Sequence, residues 1–118
     1  MSKPLRHLKV TEVDGVTILY FVDVRIPNDK IAELGEELNR FVGEEKGKRL
    51  LIDFTNVEYL GSKGLSELIL LDKKLKKNEG QLKFCNMQPE LRQVFGITRM
   101  DQLFEIHGTE AAALSAFA

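Results

Sequence analysis

The stretch Leu51-Ile-Asp-Phe-Thr-Asn-Val-Glu-Tyr-Leu-Gly-Ser-Lys-Gly-Leu-Ser-Glu-Leu-Ile69 decides how the rest of the chain is placed. It opens in an apolar run, Leu50 to Phe54, interrupted only by Asp53 and closed by the Thr55-Asn56 turn. A run of that kind is the pattern of a strand covered on both faces, which belongs in the middle of a sheet. Small residues at Gly61, Ser62 and Gly64 then lead into a helical periodicity that runs to about Lys77 and stops at Asn78-Glu79-Gly80. Gly80 is expected to supply the left-handed residue past the helix end. A serine at a helix start has a plain structural use, because its hydroxyl can accept from an N–H two or three residues on and cap the helix.

Working outward, Leu8 to Val13 and Val16 to Val22 are rich in β-formers and flank Asp14-Gly15, the signal of an antiparallel hairpin closed by a type I′ turn. After Pro27, Asn28 is a good N-cap, and Ile31, Leu34, Leu38 and Phe41 recur at helical spacing up to Gly43. Gln81 to Cys85 reads as a further strand, and Pro89 opens a short helix that ends at Gly96. Leu103 to Ile106 reads as a last strand, and Thr109 caps a final alanine-rich helix that docks Leu114 and Phe117. The order β-β-α-β-α-β-α-β-α predicts an α/β domain with a mostly parallel sheet behind an antiparallel hairpin.

The chain has 118 residues, 43% hydrophobic and 30% charged, which suits one domain over residues 1–118 with one core. Seventeen basic residues against eighteen acidic ones leave no net field for nucleic acid or an anionic membrane. The apolar runs Val16–Val22 and Leu68–Leu71 fall far short of the roughly 20 residues that span a bilayer. The single cysteine, Cys85, and the absence of a secretory pattern at the N-terminus point to a reducing cytoplasm. Cys85 itself reads as a small core hydrophobe.

Neither phosphate-cradling glycine pattern occurs, so no nucleotide machinery is expected. His7 and His107 stand far apart along the chain with no other candidate ligand beside them, so neither a metal site nor a cofactor is expected. No base is placed next to a serine or cysteine for nucleophilic chemistry. The carboxylates Glu44, Glu45, Glu58 and Glu67 read as solvated surface. Lys73, Lys74, Lys76 and Lys77 complement the dipole at the end of their helix. A binding module is therefore expected rather than an enzyme.

On a helical wheel Ser62, Ser66, Ile69 and Lys73 share a stripe roughly 60° wide, with Leu70 at its edge, while Leu65, Leu68 and Leu75 face the sheet. Asp72 falls among the core-facing positions. Gly61, Ser62, Lys63, Gly64, Ser66, Ile69, Leu70 and Lys73 form the candidate docking surface. A phosphate on Ser62 would sit at the unpaired N–H groups of a helix N-terminus and add about −1.5 to −2 charges.

The segment Asp53-Phe-Thr-Asn-Val-Glu-Tyr-Leu-Gly-Ser-Lys-Gly-Leu65 resembles the signature of the anti-sigma factor antagonist (STAS) family. Leu91-Arg-Gln-Val-Phe-Gly-Ile-Thr98, Met100 and Leu103-Phe-Glu-Ile106 are similar to its third helix and last strand. The resemblance implies a STAS-like fold and a partner that is an anti-sigma factor and serine kinase, released when the first serine of the motif, here Ser62, is phosphorylated. Two positions and one stretch depart from the pattern. Gly61 replaces an aspartate, Lys63 replaces a second serine or threonine, and Val24-Arg-Ile-Pro27 replaces a Gly-x-Leu-Asp stretch. They change the charge beside the serine, so a second expectation stands: a STAS accessory or scaffold subunit of a signalling or transporter complex that is not phosphorylated. A third, an enzyme or small-nucleotide binder, would rest on fold class alone.

Overall fold

The structure, a computed structural model, describes residues 4–117. Strands β1 (Leu8–Val13) and β2 (Val16–Phe21) pair antiparallel, and both turn residues take positive φ, Asp14 at 50° and Gly15 at 81°, as a type I′ turn requires. β4 (Arg49–Asp53) then pairs parallel with β2 on one side and with β6 (Gln81–Cys85) on the other. β7 (Glu105–His107) closes the far edge, giving the order β1-β2-β4-β6-β7 with β4 in the middle. The central strand is buried from Leu50 onward because both of its faces are covered.

One face carries the larger core. Leu19, Phe21, Leu50, Ile52, Leu82 and Phe84 meet helices α1 (Ile31–Asn39), α2 (Ser62–Lys77) and α3 (Pro89–Ile97). Phe54, just past β4, lies 5.1 Å from Phe21 and 5.0 Å from Phe84, ring centre to ring centre, and edge-on to both. The other face is covered by α4 (Glu110–Ala116), which packs Ala113 against Val16, Ile18, Leu51 and Cys85, with Leu114 and Phe117 beside them. Thr109 caps α4 as expected, its hydroxyl accepting from the Ala112 N–H at 3.1 Å.

Several local expectations are corrected. Asn28 does not cap the helix that follows it: a 3-10 turn spans Asn28–Lys30, no side chain caps α1, and the helix ends at Asn39 rather than near Gly43. The left-handed residue after α2 is Glu79, at φ 61°, and not Gly80. Gly80 has a different reason to be glycine, because a Cβ there would lie 2.8 Å from the Lys48 carbonyl oxygen. α3 continues to Ile97, one residue past Gly96. The last strand starts at Glu105, since Met100–Gln102 forms a 3-10 turn that leaves Leu103 exposed and turns Phe104 into the core. Asp72, expected on the core-facing side, lies at the rim of α2 and pairs with Lys76 at 2.9 Å.

One small sheet had no counterpart in the sequence reading. The two-residue strands β3 (Arg25–Ile26) and β5 (Tyr59–Leu60) pair parallel as a separate small sheet. Glu58 donates its N–H to the Val24 carbonyl at 2.8 Å, and Gly61 donates to Ile26 at 2.9 Å. This pairing carries the chain from the central strand to the start of α2.

Candidate functional site

The route to Ser62 begins at Asp53, buried at the end of β4. Its carboxylate accepts from the Thr55 N–H at 2.8 Å, the Thr55 hydroxyl at 2.5 Å and the Asn86 amide at 2.9 Å. A polar group at this depth is tolerated because it is hydrogen-bonded. These bonds hold the turn after β4, and β5 follows along β3 to Gly61.

Gly61 is the N-cap of α2, with extended backbone at φ −73° and ψ 169°, and Ser62 is the first helical residue. Ser62 is therefore not the cap, contrary to the plain structural use expected of it. The Lys63 N–H donates instead to Asn28 Oδ1 at 3.0 Å, from a residue 35 positions earlier. The Ser62 side chain is exposed, and its hydroxyl has no partner among the described residues. One of the helix-start N–H groups expected to be open to a phosphate is thus already occupied.

The eight residues expected to form the docking surface differ in exposure. Ser62, Lys63, Ser66, Leu70 and Lys73 are exposed, with Leu70 at 48% the most open apolar residue of α2. Ile69 is half-buried against the core. Gly61 and Gly64 are buried and present no surface. A Cβ on Gly64 would lie 2.3 Å from Leu60 Cδ1, and one on Gly61 would lie 2.4 Å from Asn28 Oδ1, so both glycines are places of close approach.

Sequence reasoning missed the residues that precede the serine in space. Val24 and Tyr59 are exposed, and the Arg25 guanidinium lies over the Tyr59 ring at 4.7 Å from its centre. They lie on or beside the short strands β3 and β5, the second of which leads through Gly61 into Ser62. Only a two-residue pairing brings them together, and so short a strand leaves no periodicity to read.

The histidines are also placed differently from their expectation. His7 is buried beside carboxylates: Nδ1 meets Asp23 Oδ2, and Nε2 meets Glu33 Oε2 at 3.0 Å. Glu37 accepts from the backbone N–H groups of Arg6 and His7. Burial disfavours the charged ring, yet the hydrogen bonds to Glu33 and Asp23 outweigh it and hold the His7 pKa above its ordinary value. The i, i+4 spacing of Glu33 and Glu37 was the one sequence signal for this cluster. His107 pairs with Glu105 at 2.7 Å, and the Lys83 ammonium on the same carboxylate, with His107, lowers the Glu105 pKa. Among the described residues no group of three or more His, Cys, Asp or Glu is arranged to hold a metal ion.

Clefts lie elsewhere on the described residues. One of about 500 Å³ is bordered by Asp72, Lys76, Lys83 and Glu105, and one of about 210 Å³ by Arg6, Glu33, Glu37 and Arg40. Neither is lined by Ser62 or its neighbours. No helix among the described residues is long and apolar enough to cross a membrane.

Residues 7–113 match the STAS domain family. The chain belongs to that family. A relative from Bordetella bronchiseptica named as an anti-sigma factor antagonist, BtrV, is 30% identical to this STAS chain over 111 residues, 93% of either protein. Among solved structures, an anti-sigma factor antagonist (STAS) domain protein from Planctomyces limnophilus superposes with a TM-score of 0.87 at 24% identity, covering 98% of this chain and all of that one. An anti-sigma factor antagonist from Mycobacterium paratuberculosis superposes at 0.78 with 27% identity, covering 93% of this chain and 92% of its own. The STAS fold, with its antiparallel hairpin and otherwise parallel main sheet, is the one expected from the sequence.

Proposed function

We propose that this protein is an anti-sigma factor antagonist built as one STAS domain over residues 1–118. In this reading it sequesters an anti-sigma factor that is also a serine kinase, and phosphorylation of Ser62 releases it. The observation that carries the reading is the exposed, unpartnered Ser62 hydroxyl at the first residue of α2. The names carried by its relatives support the same class of partner.

The surface around the serine suits a switch. Ser66, Leu70 and Lys73 extend it along α2, and Val24, Arg25 and Tyr59 extend it over the short strands. Exposed apolar side chains beside cations suit a partner with an apolar patch and acidic neighbours. A phosphate on Ser62 would bring about −1.5 to −2 charges onto that surface. The backbone need not move, since Ser62 already faces solvent. Repulsion from an acidic partner and pairing of the phosphate with Lys63 would both weaken docking.

The test is incubation with anti-sigma kinases from the same genome and ATP, followed by intact-mass and fragment-ion measurement. A single phosphate on Ser62, absent from Ser62→Ala, is the expected result, together with at least tenfold weaker partner binding by Ser62→Asp. No phosphate with any such kinase refutes the switch. Binding unchanged in Ser62→Asp would favour the scaffold reading, which Gly61 and Lys63 motivate.

A further inference from the structure

The backbone of Gly61 gives no reason for a glycine. Its φ of −73° and ψ of 169° are open to any residue, so the reason lies in space. A Cβ at position 61 would lie 2.4 Å from Asn28 Oδ1, 3.2 Å from Asn28 Cγ and 3.3 Å from the Asn28 backbone nitrogen. The same Asn28 oxygen accepts from the Lys63 N–H at 3.0 Å, while the Gly61 N–H donates to Ile26, two residues before Asn28.

We infer that Asn28 is a positioning residue for Ser62: it caps α2 from the turn before α1, and the space it fills is what requires glycine at position 61. A helix start leaves its first N–H groups without intrahelical partners, and the usual remedy is an Asp, Asn, Ser or Thr at the N-cap itself. Here the N-cap residue has no side chain, and the acceptor arrives from a separate element. The two arrangements exclude each other, because an aspartate at 61 and the Asn28 amide would compete for one volume and one N–H. As a result the residue before Ser62 carries no carboxylate, and Lys63 is its nearest charged neighbour in sequence. The start of α2 is also tied to the Ile26–Asn28 segment. That Asn28 positions a switch residue rests on the Ser62 reading proposed above; the cap itself does not.

The experiment compares wild type with Asn28→Ala, Asn28→Asp, Gly61→Asp and the double variant Asn28→Ala/Gly61→Asp, by urea unfolding and by the amide resonances and hydrogen exchange of Ser62 and Lys63. Asn28→Ala is expected to lower the folding equilibrium constant roughly fivefold and to speed exchange at Lys63. Asn28→Asp, which keeps an acceptor oxygen, is expected to hold the wild-type Lys63 exchange rate. Gly61→Asp should destabilise when Asn28 is present and stabilise when residue 28 is alanine, where the new carboxylate can cap the helix itself. An unchanged Lys63 amide in Asn28→Ala, or effects at 28 and 61 that simply add, would overturn the inference. No partner or kinase enters this measurement, so a failure of the Ser62 switch and a failure of the cap are seen separately.

Discussion

Replacing Asp53 by alanine tests whether the turn after the central strand is held by one carboxylate. The side chain is 3% exposed and accepts three hydrogen bonds, from the Thr55 N–H, the Thr55 hydroxyl and the Asn86 amide. Hydrogen bonds to a charged group contribute about 1.5–3 kcal/mol each. Thr55 is exposed and Asn86 half-buried, so these donors can turn to water and recover much of that. The net loss should be about 3 kcal/mol, a large part of the roughly 5–15 kcal/mol that holds a domain together. With a urea slope of about 2 kcal/mol/M, the unfolding midpoint should fall by about 1.5 M. Asp53→Asn keeps one acceptor oxygen for Thr55 and should lose about half as much. Hydrogen exchange should quicken at Val57, whose N–H closes the turn onto Phe54, and along β5. A midpoint shift below about 0.5 M for Asp53→Ala would refute the view that this carboxylate organises the path to Ser62.

Two further outcomes follow from titratable groups away from the serine. The folded-state pKa of His7 is raised, so the stability it contributes is complete below its unfolded value of 6.5 and is lost as pH rises through the folded value. The urea midpoint of the wild type should therefore fall across that window and that of His7→Gln should fall less, whereas parallel pH profiles would show that the Asp23 and Glu33 contacts contribute nothing. The Cys85 thiol is pushed up to about 12, by burial first and then by the Asp53 and Glu110 charges. It should stay unreactive toward Ellman's reagent at pH 8 in the native protein and react in full on unfolding in urea; prompt reaction of the native protein would contradict its place under α4.

The parts of the fold legible along the chain are those with a repeating local signal. The β1–β2 hairpin was marked by Asp14-Gly15, and the central strand by an apolar run too long for a half-exposed position. The bounds of α2 were marked by small residues, although Ser62 does not cap it and Gly80 is not its left-handed residue, and the start of α4 was marked by the capping Thr109. The site was legible to the extent that Ser62 stands exposed where a helix begins. Its immediate surroundings were not. Asn28 follows a proline and precedes a helical pattern, so local rules assign it to α1, while in the folded chain its oxygen serves α2. Gly61 and Gly64 looked like part of a surface because small residues mark close approach without saying to what.

The sequence by itself determined the order and type of the main elements and the family to which they belong, because hydrophobic period and turn chemistry act over neighbouring residues and are written along the chain. Tertiary structure alone decided which side chain completes which helix, that β3 and β5 pair over two residues each, and that His7 lies among Asp23, Glu33 and Glu37. Those arrangements join groups as many as 35 positions apart. A hydrogen bond depends on angle and on a separation of about 3 Å, and only the packed sheet and helices bring such distant groups within that reach.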